Sequence, residues 1–223
     1  MNNAMMPLAR ETDASLKDQA YDALEEMIVT LELPAGSAIS EAVLAARLGM
    51  SRTPVREALQ RLSREGLIRV LPRRGMLITD LDVGKQLRML EVRRVIDRLL
   101  AARAATRRSA AQATAFRQIA AEFAAAGAAD DEALFTRADR GFNDLLLDAA
   151  NNEFAAEAAS LMQGRSRRFW FVHQRRHSSV KDAAALHSAI AFAIADEDAV
   201  GAAAASDALL DHVEHFTRAT LND

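Results

Sequence analysis

Residues 40–75 read SEAVLAARLGMSRTPVREALQRLSREGLIRVLPRRG, and the rest of the chain is read outward from them. Ser40 stands as an N-cap, and Ala42, Val43, Ala46 and Leu48 give a short helix an apolar face. Gly49-Met50-Ser51 is a tight turn, because glycine adopts backbone conformations that other residues resist. Ser51 caps a second helix whose first turn accepts Pro54, since an N–H at that position would be unpaired anyway. Val55, Leu59 and Leu62 face inward at helical spacing, while Arg52, Arg56 and Gln60 fall on another face. Gly66 ends the helix. Two short helices joined by a tight turn, the second with Arg and Thr near its start, describe a helix-turn-helix. Such a motif lays its second helix in the major groove of DNA.

The net charge of −3 over 223 residues looks wrong for that reading until it is resolved by region. Between Arg47 and Arg74 eight arginines stand against Glu57 and Glu65, a local excess of six positive charges. A local basic patch is what phosphate contact requires, and the global balance says little. After Gly66, Leu67 to Leu71 is a short strand, Pro72-Arg73-Arg74-Gly75 a turn and Met76 to Thr79 a returning strand. A hairpin with arginines at its tip, directly after a recognition helix, is a wing that reaches phosphates or the adjacent minor groove.

The flanks follow from composition. Residues 1–14 lack periodicity and are expected to be disordered. Ser15 with Asp18 three residues on resembles a capping box. The helix that follows carries Leu16, Ala20, Leu24, Met27, Ile28 and Leu31 on one stripe, and Pro34-Ala35-Gly36 stops it. From residue 81 the chain turns Ala-rich, with Leu, Phe and Ile recurring at helical period. Turn and cap signals divide it into about six helices, near 82–106, 109–126, 130–150, 152–177, 182–196 and 198–221, with Gly127 among the breaks. The fold class is therefore mainly α: a winged helix-turn-helix with a small hairpin over 15–80, then an all-α bundle over 81–223. With 50% apolar and 5% aromatic residues the composition is globular and favours helices. Charge interrupts every apolar stretch before the ~18 residues of a membrane span, and the N-terminus lacks a signal-peptide layout. The absence of cysteine excludes disulfides and thiolate metal sites. A cytoplasmic protein with no membrane association is expected.

SEAVLAARLGMSRTPVREALQRLSREGLI resembles the winged helix-turn-helix of the GntR family of bacterial transcriptional regulators over that motif's whole length. The resemblance implies that Arg52 and Arg56 contact DNA, with Ser51 and Thr53 at the helix start and Arg73, Arg74 and Gly75 in the wing. Chemistry agrees, since Arg bonds guanine O6 and N7 bidentately and short hydroxyls suit phosphate oxygens. Arg61 and Arg64, later in the helix, are expected to face phosphates or to pair with Glu57 and Glu65.

The second half resembles the all-α ligand-binding domain, FCD-type, of the FadR subfamily. Leu90 to Arg94, Asp139-Arg140-Gly141-Phe142-Asn143 with Asn152, and Leu186-His187-Ser188-Ala189-Ile190 carry that match. The resemblance implies an Asp and three His holding a divalent metal such as zinc, with a small carboxylate effector beside it. Asp139 and His187 stand where expected, but position 143 is Asn and an ungapped alignment puts Leu209 at the last ligand position. His212, three residues further on and in a different direction on the helix, is a weaker metal-ligand candidate beside Asp139, Asn143 and His187; the alternative, shared with His215, is a solvated last-helix face. Two clear ligands and a weaker amide oxygen make a marginal metal site. Arg93, Asp139, Asn143 and His187 are the candidate effector contacts, Arg93 as a bidentate carboxylate partner or as an ordinary interhelical ion pair. Phe169, Trp170 and Phe171 are expected in the core or against the pocket; His173 and His177 have no assigned role.

The expectation is a homodimer that binds a palindromic operator in double-stranded DNA, because one recognition helix reads only a few base pairs. A small effector would shift operator affinity by favouring one placement of the two DNA-reading units. The alternative is a ligand-independent DNA-binding protein with a degenerate pocket. An enzyme is not expected, since Asp139 and His187 alone do not form a convergent catalytic set.

Overall fold

The computed structural model describes residues 15–71, 75–177 and 179–222, with the side chains of 175–177 and 222 left aside. The expected disorder of residues 1–14 and the wing-tip arginines Arg73 and Arg74 lie outside the described residues. Helix α1 (Leu16–Val29) starts where the Ser15 hydroxyl accepts the Asp18 N–H. It buries Ala20, Leu24, Met27 and Ile28. Leu16 and Leu31, the ends of the expected stripe, are exposed instead, and Leu31 leaves the helix in a left-handed conformation at φ 62°. The helix therefore stops at Val29, ahead of the Pro34 signal.

Helix α2 (Glu41–Leu48) ends on Gly49, whose φ of 63° makes the tight turn. Helix α3 (Arg52–Arg64) follows. Ser40 and Ser51 occupy the two N-cap positions with extended backbone, but neither side chain makes the capping hydrogen bond. Strands β2 (Ile68–Leu71) and β3 (Gly75–Ile78) pair antiparallel, Ile68 opposite Ile78 and Leu71 opposite Gly75. Strand β1 (Ala38–Ile39), absent from the sequence reading, adds to the other edge of β3 with Ile39 opposite Met76, giving the order β1-β3-β2. Leu24, Ile28, Val55, Leu59, Leu62 and Ile78 close one hydrophobic core over this N-terminal unit.

The remaining helices are α4 (Val83–Arg107), α5 (Ala110–Ala129), α6 (Glu132–Ala150), α7 (Glu153–His177), α8 (Val180–Ala195) and α9 (Ala199–Ala219), closed by a 3-10 turn at Thr220–Asn222. Side-chain caps start them: Asp82 for α4, Ser109 with Gln112 in a capping box for α5, Asp131 for α6, Ser179 for α8 and Asp198 for α9. Asp130 and Asn151, both left-handed, end α5 and α6. The second core is made of Phe116, Phe123, Phe135, Phe142, Ile190 and Ile194 among many buried alanines. Gly127 does not break α5. A Cβ there would stand 3.1 Å from the Ala184 Cβ and 3.3 Å from the Lys181 Cα, so this glycine lets α5 and α8 approach closely. Among the described residues no helix is long and apolar enough to cross a membrane.

Candidate functional site

At the start of α3, Ser51, Arg52, Thr53 and Arg56 are all exposed while Pro54, Val55, Ala58 and Leu59 are buried beneath them. Residues four apart share a helix face, so Arg52 and Arg56 project together. Arg56 is already engaged: its Nε and Nη2 donate to the two carboxylate oxygens of Glu41 at 2.8 Å each. That bond holds the Glu41 carboxyl below its ordinary range. Arg61 belongs to the scaffold, since its guanidinium lies 3.6 Å above the Tyr21 ring and its Nε donates to Glu65 at 3.0 Å. Tyr21 in turn donates its hydroxyl to Glu65 at 2.8 Å, locking α1 to the end of α3. Gly75 opens β3 at φ +88°, a conformation that side chains resist.

A cavity of about 70 Å³ lies inside the helical bundle, room for roughly five to seven waters at ~10–15 Å³ each or for one compact ligand. Arg93, Asp139, Asn143 and His187, the four candidate effector contacts, all line it. So does His212, the weaker candidate, which the sequence sets in a different direction from Leu209. Leu209, His212, Val213 and Phe216 are spaced as one α9 face, and all four reach the cavity. The His212 ring lies 6.3 Å from that of Trp170, and burial lowers its pKa.

His187 is held from every side. Its Nε2 lies 3.3 Å from Asp139 Oδ1 and its Nδ1 lies 2.8 Å from the Ala183 carbonyl oxygen. The rings of Phe123, Phe135 and Phe142 stand 4.9, 5.4 and 5.9 Å away. Burial pushes the Asp139 carboxyl up, but the hydrogen bond and charge of His187, with Arg167 and Arg93 behind it, bring it below the ordinary carboxylate range. Arg93 donates to Asp97 at 2.7 and 3.0 Å and to the Ser166 hydroxyl at 2.5 Å. It therefore fronts the cavity from within a pair on its own helix rather than an interhelical ion pair.

The donor set does not fit a transition-metal site. Asn143 turns its Nδ2 to the Asp139 backbone oxygen at 2.7 Å and to Asp139 Oδ1 at 3.1 Å, and its Oδ1 accepts from Gln163 at 3.3 Å. Leu209 offers no donor atom. Among the described residues no group of three His, Asp or Glu is placed to hold a metal, against the three or more N or O ligands such ions need.

Sequence reasoning missed the residues that connect this cavity to the N-terminal unit. Glu25 of α1, 1% exposed, accepts from Arg167 of α7 and from Arg140 of α6, the latter at 3.2 Å. Arg167 also lines the cavity, as does Val29 from the end of α1. Burial pushes the Glu25 carboxyl up while the two arginines pull it back, and it remains raised. Gly164, one turn before Arg167, lets α1 sit this close: a Cβ there would meet the Leu67 side chain at 2.8 Å and Glu25 Oε1 at 2.9 Å. A Gly164→Val substitution is expected to cost about 1–3 kcal/mol through overpacking, read as a lower urea midpoint. The arginine-rich run Arg165–Arg168 beside Phe169 and Trp170 was visible in the sequence, but not its partner. Phe169, Trp170 and Phe171 all line the cavity, Phe169 fully buried, while the His173 ring lies 4.6 Å from that of Phe169. The side chain of His177 is outside the described residues.

Two family models match the chain. The family model described as bacterial regulatory proteins, gntR family, matches residues 16–78, and the FCD domain model matches residues 88–212. An uncharacterized HTH-type transcriptional regulator in an unstable DNA locus of Streptomyces ambofaciens is 43% identical over 78 residues, 35% of this chain and 33% of that protein. The HTH-type transcriptional repressor RspR of Escherichia coli is 32% identical over 91 residues, 41% of this chain and 40% of RspR. The chain thus spans about a third to two fifths of the length of these curated relatives. Among solved structures, E. coli McbR/YncC superposes with a TM-score of 0.77 at 17% identity, covering 94% of this chain and 100% of that one. A GntR regulator from a Rhodococcus species gives 0.67 at 21% identity over 92% and 99%. At these identities the structural likeness is one of fold.

Proposed function

We propose, on the premise that this chain belongs to the FCD-domain family and carries the helix-turn-helix of the gntR family of bacterial regulatory proteins, that it is a DNA-binding transcriptional regulator whose operator affinity is set by a small carboxylate. Residues 15–80 read DNA and residues 81–223 hold the effector and the dimer contacts, the arrangement of the FadR subfamily. The observation that carries the reading is the exposed group Ser51, Arg52, Thr53 and Arg56 on a helix whose other face is locked in the core. Arg73, Arg74 and Gly75 supply the wing contacts.

In the cavity, Arg93 and Arg167 offer cationic donors, Ser166, Asn143 and Gln163 offer polar ones, and Phe135, Trp170 and Phe216 form an apolar floor. This combination suits a compact carboxylate, with His187 and Asp139 orienting it rather than ligating a metal. Thermal-shift screening of small carboxylates is expected to yield a stabilising hit that weakens in an Arg93→Ala variant. No hit across the screen would favour a ligand-independent regulator with a degenerate pocket. Elemental analysis after dialysis is expected to find less than one transition metal per chain; stoichiometric metal would overturn the metal-free reading.

A second copy of the chain is supported by α4, where Val92, Val95 and Leu99 recur on one face at 52%, 69% and 43% exposure. Apolar side chains this exposed and this aligned mark an association surface. A Val95→Asp variant is expected to sediment as a monomer and to lose affinity for a two-half-site palindrome, because each copy then binds a half-site alone. An unchanged dimer would place the interface elsewhere.

A further inference from the structure

The junction between the DNA-reading unit and the bundle buries a cation that no counter-ion neutralises among the described residues. Arg168 of α7 is 1% exposed. Its Nη1 donates to the Thr79 carbonyl at 2.7 Å, whereas Nε and Nη2 have no hydrogen-bond partner. Asp80 acts on it only at a distance, and burial lowers the guanidinium pKa. The contrast with its neighbour is direct, since Arg167 has Glu25. A buried charge without a partner is costly enough that native structures usually supply one.

The geometry indicates what kind of partner is missing. Nε and Nη2 form one edge of the guanidinium, the pair of parallel donors that grips a carboxylate or phosphate side-on. Beside it, Gln86 of α4 is 5% exposed, and its Nε2 also has no partner. Both residues line a crevice bounded by Thr79 and Asp80 on one side and by α4 and α7 on the other. Lys85, Arg69 and Arg165 stand around it with Asp80 and Asp82. The unpartnered buried atoms there, Arg168 Nε and Nη2 and Gln86 Nε2, are all donors, which is the chemistry of an anion site rather than of a cation or apolar ligand.

We propose that this crevice is an oxyanion site, distinct from the effector cavity, in which a carboxylate or phosphate group takes the Nε–Nη2 edge of Arg168 and the amide of Gln86. The bound anion ties the segment after β3 to α4 and α7, and so fixes the DNA-reading unit on the bundle. Gln86 and Phe169 line both cavities, so an occupant of one bears on the other. The proposal does not depend on what the effector is, or on whether there is one.

The test uses the full chain and two probes, inorganic phosphate and acetate, each titrated against sodium chloride at matched ionic strength, with thermal unfolding and calorimetry as readouts. At least one probe is expected to stabilise the protein saturably beyond chloride, and the stronger of the two identifies the class of oxyanion. Arg168→Met is expected to abolish the response and Arg93→Ala, in the other cavity, to retain it. Gln86→Leu, which leaves the buried charge in place, guards against a folding failure of the first variant; it should weaken the anion about tenfold, as loss of a hydrogen bond to a charged group does. No saturable response to either probe in the unaltered protein overturns the proposal. So does a response that survives Arg168→Met, or one that Arg93→Ala removes.

Discussion

Replacing Arg52 and Arg56 together by alanine is expected to lower affinity for the operator by about 2–6 kcal/mol, if each makes one bidentate base contact of roughly 1–3 kcal/mol. In a gel shift with DNA upstream of the protein's own gene, that is a loss of about 30-fold or more, at roughly 1.4 kcal/mol per tenfold. Non-specific binding to long DNA should fall far less, because the remaining arginines still meet phosphates. The fold should be unaffected: both side chains are exposed, and the core of α3 rests on Val55, Leu59 and Leu62. Arg56 starts from a pair with Glu41 through its Nε and Nη2, and its Nη1 takes no part in that pair. Sequence-specific binding that survives the double substitution would remove α3 from the role of reader.

The second large effect lies at Glu25. Glu25→Ala is expected to destabilise the protein by about 3–5 kcal/mol, the cost of breaking a buried ion pair from one side, read as a lower denaturant midpoint. The mechanism is the arginine left behind, since Arg167 is only 15% exposed and has lost its carboxylate. Burial leaves the Glu25 carboxyl raised, whereas Arg167, lowered by burial, is held above its ordinary range by Glu25 and Asp139; for a buried pair the desolvation of both ions largely offsets their attraction. Replacing both partners, Glu25→Met with Arg167→Met, should therefore cost much less than Glu25→Ala alone. In the same variants an effector that shifts operator affinity by a coupling of about 1–3 kcal/mol should lose that leverage, because Arg167 touches both Glu25 and the cavity. If the single and double variants unfold alike, or if coupling persists without Glu25, the clamp is not the route between the two sites.

These two predictions differ in how far the chain alone leads to them. Arg52 and Arg56 are legible because everything that places them is local: Gly49 turns the chain, Pro54 starts the helix and Val55, Leu59 and Leu62 choose its inward face. The cavity was half legible. Asp139, Asn143, Arg93 and His187 come from short motifs, but His212 was misplaced because the ligand position was aligned to Leu209 while the two share one helix face. Strand β1 escaped notice because two residues, Ala38 and Ile39, carry no periodicity; only pairing with β3 makes them a strand. In sequence Gly127 reads as a helix stop, because nothing nearby announces the close approach of Ala184 and Lys181.

By itself the sequence determined the reading motif, the helix count of the bundle and the two cavity residues Asp139 and His187. The motif and the helix count rest on signals that act within a few residues, namely caps, turns and the 3.6-residue period; Asp139 and His187 come from the stretches that resemble the FCD-type domain. Only the tertiary structure decided that Glu25, an acid on the first helix, meets Arg167 of α7, and that Arg168 beside it forms no ion pair among the described residues. Helical periodicity says which face of a helix is buried. Which buried charge finds a partner depends on the face of another helix, and that is settled only when the two pack.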